Sequence, residues 1–508
     1  MPQELPGFYY DAEKNRYFPI KGPIPGATRS SSAKPSAQNS ATEPTQAGNS
    51  CKKPNVRMSQ LLQARELDGN AITSQKRKCN FKEEFQKIQV SHPMAWKYKG
   101  MDRIGVSALE QMHVGVQTLQ GQVETDVLLT GSIYGSLSFS EVGKKGQHYD
   151  NRSKYMPDRV WCCDKGKEDC SVVAEPIFGL SRGSLPFSSQ ISCIKLSGKH
   201  SYAVDDGPGI RRALITTLGS GTSGGSVYTL DLVEPLDFSP NILNIRRRLH
   251  EVGSFNCTLW AADYDYDGSR AVIGTNLGAA LLDVETGMAS WFLRCKSDVL
   301  AQQIIKSGNV VICGLRNGAI VTVDFREKRE EFSSRLIRYR IPCSHLDKTV
   351  GSSRKEWFEI SGNMSPPQTI RMPSSISCLV SLQFDDQYFL ASSMDGTVKL
   401  FDHRKIQRGA VQSYEGLVNS HTRIQLGVDP SDKFVLSGGE DYNVRLWSIK
   451  SGELLFNEKF CNSVPSTVCW KTDECFKGVQ DGRHSYSENL GLGSWLGSHE
   501  GLFYMQWL

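Results

Sequence analysis

Asn317-Gly318-Ala319-Ile320-Val321-Thr322-Val323-Asp324-Phe325-Arg326 and Asp395-Gly396-Thr397-Val398-Lys399-Leu400-Phe401-Asp402-His403-Arg404 are two copies of one pattern. A third copy runs Asp441-Tyr442-Asn443-Val444-Arg445-Leu446-Trp447-Ser448-Ile449-Lys450. Each opens on a turn residue, continues as an alternating apolar strand, and closes on an apolar or aromatic residue that is twice followed by Asp. Asx-Gly supplies the positive φ of a tight hairpin, and a period of two is that of a strand with alternating faces. A unit of this kind, repeated along a chain, is the turn and third strand of a β-propeller blade.

The other third strands follow by alignment. Ile133–Phe139 ends near Glu141, Gly225–Leu230 at Asp231 and Gly278–Leu282 at Asp283; Gly501–Gln506 ends at Trp507. With the three opening copies that makes seven, so the expectation is an all-β fold, a seven-bladed WD-repeat β-propeller. Two intervals between strand ends, 90 and 78 residues, exceed a blade, which places loop insertions near 142–187 and 327–372. An eighth, degenerate blade inside the first insertion is the alternative. Because the last third strand ends at Trp507, its outer neighbour is expected from residues 95–106, which would close the ring and cover the free sheet edges.

Outside the propeller the composition changes sharply. Residues 1–20 carry five aromatics between Phe8 and Phe18, too many for an inert tail. Residues 21–55 are rich in Ser, Pro, Ala, Asn and Gln and read as a disordered linker. Residues 56–94 read as short helices outside the propeller, with Met58, Leu61 and Leu62 on one face and Phe81, Phe85 and Ile88 on another. The propeller itself is expected over residues 95–508.

A net charge of +5 over 508 residues does not by itself predict nucleic acid as a partner. The 14 Cys sit singly in strand-like segments, where they read as small buried hydrophobes of a reducing compartment. No apolar leader or 18-residue apolar run is visible, so the expectation is an intracellular, soluble chain without a membrane span, in the nucleus or the cytoplasm.

Several motifs invite chemistry, and each has a plainer explanation. His421, Ser437, Asp441 and Trp447 occupy the positions of the buried hydrogen-bonded tetrad of a complete WD repeat, a network that stiffens a blade rather than a catalytic set. Gly219 to Gly224 satisfies G-x-G-x-x-G, yet a strand follows where a dinucleotide site needs a helix. Cys162, Cys163 and Cys170 lack a second ligand pair for zinc. No cofactor, metal or catalytic residue is therefore expected. The basic clusters Lys76-Arg77-Lys78 and Arg246-Arg247-Arg248 and the stretch Arg335 to Arg340 read as solvated surface, with nuclear import or an acidic ligand as alternatives.

The two Asp-x-Arg endings remain. Arg326 and Arg404 sit two residues beyond consecutive third strands, so they are expected side by side on one surface, pointing outward. Guanidinium groups so placed suit bidentate contact with acidic or carbonyl groups of a protein partner.

Paired boxes of this form resemble those of WD-repeat substrate receptors that dock on the damaged-DNA-binding adaptor of cullin-4 ubiquitin ligases. Leu5-Pro6-Gly7-Phe8-Tyr9-Tyr10-Asp11 with Lys14-Asn15-Arg16-Tyr17-Phe18 resembles the terminal motif of one member closely. The resemblance covers that motif and the propeller, but neither the linker nor the insertions. It implies a non-catalytic, monomeric subunit of a larger complex that presents an unknown target protein for ubiquitination. It also implies that Asp324 with Arg326, and Asp402 with Arg404 and Phe401 in the Trp position, face the adaptor, and that helices within 56–90 insert into its cleft. Val323 departs from the usual aromatic, and Ser448 and Lys450 lack the third box. The rival is a WD-repeat scaffold of a nuclear RNA-processing or chromatin complex, binding through the basic stretches.

Overall fold

A polar turn followed by an alternating strand can bury only one edge and two faces against neighbours, so such units stack around an axis. The computed structural model describes residues 8–11, 16–19, 58–68, 71–74, 77–98, 105–118, 121–143, 154–155, 157–161, 177–179, 183–197, 212–220, 223–237, 243–305, 308–326, 337–340, 357–361, 369–471 and 492–507. They fall in two units, Met1–Ser50 and Cys51–Leu508. In the first, Phe8–Asp11 pairs antiparallel with Arg16–Pro19, opposing Tyr9 to Phe18 and Tyr10 to Tyr17. The linker expected at 21–55 lies outside the described residues.

The described residues of the second unit build seven blade sheets, each with a four-stranded antiparallel core, and three of them carry further strands. Blade 1 comprises Ala108–Thr118, Gly121–Gly131, Ser136–Gly143 and Gly183–Pro186. Blades 2 to 6 begin at the inner strands Ile191–Leu196, Leu259–Tyr264, Val299–Ile304, Ile376–Ser381 and Leu426–Val428. Blade 7 takes Pro465–Trp470, Gly493–Ser498 and Gly501–Gln506 from the end of the chain and Met94–Tyr98 from before blade 1. Its closing register pairs Leu502 with Tyr98 and Gln506 with Met94. One apolar cluster fills each of the seven seams between neighbouring blades, including the seam where Leu109 and Leu128 of blade 1 meet Trp495 and Tyr504 of blade 7.

The insertions extend existing sheets and add no blade among the described residues. Asp158–Trp161 lies outside Met94–Tyr98 as a fifth strand of blade 7, while Ile337–Arg340 and Trp357–Ser361 form a hairpin on the outer strand of blade 3. Fourth strands Gly183–Pro186 and Thr369–Arg371 close blades 1 and 4 after these excursions.

Two helices precede the ring, α1 (Met58–Asp68) and α2 (Phe81–Val90). The stretch between them is not helical as the periodicity suggested: Ala71–Ser74 and Arg77–Asn80 form a hairpin. Leu61 is buried against Phe81, but Leu62 is exposed, so the shared face expected for the two leucines is not formed. Asn80 caps α2 by accepting from Lys82 N at 3.1 Å, with Glu83 and Glu84 in the first turn.

In each blade the first-to-second and third-to-fourth connections lie on one edge, here the lower edge; the second-to-third turns and the links between blades lie on the upper edge. The Asx-Gly turns show why glycine is required on the upper edge. Gly318 has φ +84° and Gly396 φ +83°, and a Cβ at Gly396 would stand 2.3 Å from Leu417 O.

Candidate functional site

Asp324 and Asp402 end the third strands of blades 4 and 5 at the lower edge. Each carboxylate first makes an Asx turn, accepting from the backbone N–H two residues on, Arg326 N at 2.9 Å and Arg404 N at 2.9 Å. The guanidinium of that same residue then folds back. Arg326 donates from Nε to Asp324 Oδ1 at 3.0 Å and from Nη2 to Oδ2 at 2.6 Å. Arg404 donates from Nε to Asp402 Oδ1 at 3.2 Å and from Nη2 to Oδ2 at 3.2 Å. One geometry thus recurs on adjacent blades. The hydrogen bonds from Arg326 and Arg404 hold both Asp carboxyls below the usual range and raise both guanidinium pKa values. Asp231 and Asp283 make similar turns in blades 2 and 3, without an Arg two residues on.

The side chains of Arg326 and Arg404 are 68% and 46% exposed, and the Nη1 side of each fork is left for a partner. Phe401 corrects the expectation from sequence: it is 2% exposed, stacked on Phe389 at 5.5 Å in the seam between blades 4 and 5, and cannot face a partner. Asp402 is buried as well, so its role is to orient Arg404.

At the same offset in blade 6 stands Lys450, which the sequence marked as the end of the series. Its Nζ pairs with Glu83 of α2 at 2.7 Å. Lys87 of α2 meets Glu453 at 3.2 Å, Lys433 donates to Gln86 Oε1 at 3.1 Å, and Trp507 Nε1 donates to Val90 O at 2.8 Å. The helix, expected apart from the propeller, is laid on the lower edge of blades 6 and 7. Three successive lower-edge turns therefore carry Arg326, Arg404 and a lysine ion-paired to α2. Nothing in the sequence period of α2 announced this contact; the alternation of Glu83 and Lys87 with Lys450 and Glu453 is its only trace.

The tetrad of blade 6 does not form. Arg445, buried on the third strand, takes Asp441 through Nη1 at 2.9 Å and through Nη2, and Asn443 Nδ2 adds a bond at 2.9 Å. Deprived of Asp441, His421 turns out, 85% exposed, beside Ser420 Oγ and Glu440. Trp447 Nε1 donates to Glu415 O, and Ser437 Oγ to Gly438 O. Glu440 does the work assigned to the histidine: it accepts from Ser420 Oγ at 2.6 Å, Thr422 Oγ1 at 2.5 Å, Thr422 N at 3.0 Å and His421 N at 3.2 Å. These bonds outweigh burial and hold its carboxyl down at about 2. Glu440→Ala is accordingly expected to cost about 2 kcal/mol, since hydrogen bonds to a charged acceptor are lost together. His421→Ala should leave the urea midpoint of unfolding unchanged; the reverse order of the two variants would restore the tetrad.

A second carboxylate sets a pH dependence. Asp432, at φ +54°, links blades 5 and 6 by accepting from Phe384 N at 2.6 Å, while its Oδ1 is buried without a partner. Burial pushes its carboxyl up to about 6, with Asp429 adding to the effect. The folded state therefore favours the neutral acid: the stabilisation is complete below the unfolded value near 4 and is lost as pH rises through about 6. Relative to Asp432→Asn, the wild type should gain on the order of 2 kcal/mol of unfolding free energy between pH 7 and pH 4. Parallel pH profiles of the two proteins would count against this environment.

Other residues singled out in the sequence are placed as follows. Gly219 opens a second-to-third turn of blade 2 that leads into the strand Ser226–Asp231. Arg248 of the triple-Arg run is bound to Glu234, whereas Arg246 and Arg247 are exposed on a short helix. Cys162, Cys163, Cys170 and Lys76 lie outside the described residues, as do the side chains of Arg77, Lys78 and Arg335 to Arg340.

Ring closure, repeated hairpins and Asp-ended third strands define a WD-repeat β-propeller. A family model described as "WD domain, G-beta repeat" matches residues 365–402 and 413–448. The chain resembles human DDB1- and CUL4-associated factor 4, at 27% identity over 203 residues, 40% of this chain and 34% of that protein. It also resembles human DDB1- and CUL4-associated factor 4-like protein 2, at 29% identity over 182 residues, 36% of this chain and 37% of that protein. The bovine factor 4 is 25% identical over 203 residues. The chain thus spans about a third of the length of the curated relatives it matches.

Proposed function

We propose that this chain is a non-catalytic receptor that docks by its lower edge on the damaged-DNA-binding adaptor of a cullin-4 ubiquitin ligase. The observation that carries the reading is the repeated, outward-facing guanidinium geometry of Arg326 and Arg404 beside α2 on one edge. Arg at such a surface makes charge-assisted, directional bonds, and the prior engagement of each fork by its own Asp removes part of the ordering cost of binding. The names of the relatives supply the partner. A propeller with one edge on the ligase presents its opposite edge to a target, and ubiquitin transfer is then promoted by proximity alone.

The direct test is size-exclusion chromatography of the purified full chain with the purified adaptor. A stoichiometric complex supports the proposal; separate elution at micromolar concentration overturns it. Binding to RNA instead, weakening steeply with salt, would favour a nucleic-acid scaffold.

A further inference from the structure

The inner strands surround an axial channel with a cavity of about 250 Å³. Arg423 enters it from the upper mouth, just ahead of the inner strand Leu426–Val428 of blade 6. Small side chains of other blades line the space, among them Cys193, Ala261, Ala301 and Cys378. Among the described residues the Arg423 guanidinium has no hydrogen-bond or ion-pair partner, and its Nε is buried without an acceptor. Burial lowers its pKa, against the opposing effect of the thiols Cys193 and Cys378 of blades 2 and 5, which line the same cavity.

Of the other charged groups that line the cavity, Asp265 pairs with Arg270, Asp432 accepts from Phe384 N, and Lys195, Asp263 and Glu110 act on one another. Asp263 accepts from Ile304 N at 2.7 Å and Gln303 Nε2 at 2.9 Å, strapping blade 3 to blade 4. Burial opposes the charge of Lys195, but Asp263, with Glu110, outweighs it. Glu110 also lines the cavity.

We propose that the upper mouth of this channel binds one carboxylate side chain of an acidic peptide, gripped by the fork of Arg423. A guanidinium left unpaired in a confined space is costly, and a planar anion with two oxygens matches it. The Asp263 and Glu110 carboxylates disfavour a doubly charged phosphate in the same cavity. Its volume, roughly that of eight liquid waters, admits a side chain but not a strand. The site stands whether or not the lower edge meets the cullin-4 adaptor; where both hold, the target lies opposite the ligase.

Saturation-transfer NMR on the full chain, with N-acetyl-glutamate N-methylamide as probe and the glutamine analogue as control at equal ionic strength, tests this. Transfer to the glutamate probe should exceed that to the control by about fivefold or more, vanish in Arg423→Gln, and fall in Arg423→Lys, which keeps the charge without the fork. Inorganic phosphate at the same concentration should leave the signal unchanged. Equal transfer to both probes, displacement by phosphate, or unaltered transfer in the folded variants would overturn the proposal. Arg423→Gln should melt no lower than wild type, because it removes an unpaired charge; if it fails to fold, Arg423→Lys decides alone.

Discussion

Deleting residues 501–508 should abolish the folded propeller rather than trim it. The segment supplies the third strand of blade 7, hydrogen-bonded to Gly493–Ser498 on one side and to Met94–Tyr98 on the other. Leu502, Phe503, Tyr504, Met505 and Trp507 are all buried, and Trp507 stacks on Trp470 at 5.0 Å while bonding the end of α2. At about 2 kcal/mol for each large apolar side chain, the loss is on the order of 10 kcal/mol, comparable with the whole stability of a domain. Met94–Tyr98 would be left without a partner on its inner side, and the seams to blades 6 and 1 would open together. The expected result is a protein without a cooperative melting transition. A soluble truncation with the wild-type melting profile would refute closure by these strands.

The second large effect is on binding. Arg326→Ala with Arg404→Ala should weaken association with the cullin-4 adaptor by roughly a hundredfold or more, as expected for two interface anchors. The melting temperature should scarcely change, because both side chains reach into solvent and exposed ion pairs stabilise little. Arg→Lys at both positions is expected to lose most of the affinity too, since the ammonium cannot span Asp and partner at once. Full binding by the folded double alanine variant would remove these residues from the interface. The Phe401→Ala variant makes a useful contrast. It should destabilise the seam between blades 4 and 5 by about 3 kcal/mol or more, yet spare adaptor binding wherever the protein remains folded.

The two Asp-x-Arg boxes show how far local sequence reaches. Turn residue, strand period and the offset of Arg from Asp are all short-range, and their outcome is set by backbone geometry within about ten residues. Seven third strands and the use of a segment near residue 95 to close the ring followed from the same reasoning, as strand ends repeat whenever blades do. What the offsets did not reveal is that Asp402 and Phe401 are buried and that each Asp binds its own Arg. Burial at the end of a strand depends on the neighbouring blade, a contact with no local signature.

Blade 6 makes the same point in reverse. The spacing of His421, Ser437, Asp441 and Trp447 fits the tetrad, but Arg445 lies between Asp441 and Trp447 on the third strand and takes the carboxylate first. Glu440, one residue from the expected acid, then holds the loop. The sequence contains all these residues; which acid meets which base is a competition among pairs that differ by a few kcal/mol.

By itself, then, the order of residues determined the repeating hairpins, their number and the outward position of Arg326 and Arg404, because these depend on turn chemistry and strand period. Only the tertiary structure decided that α2 ion-pairs with Lys450 on the same edge, that Glu440 replaces His421, and that Arg423 stands unpaired in the axial channel. Those outcomes join residues tens to hundreds of positions apart, and they arise from the closing of the ring, which brings distant charges together without leaving a period in the chain.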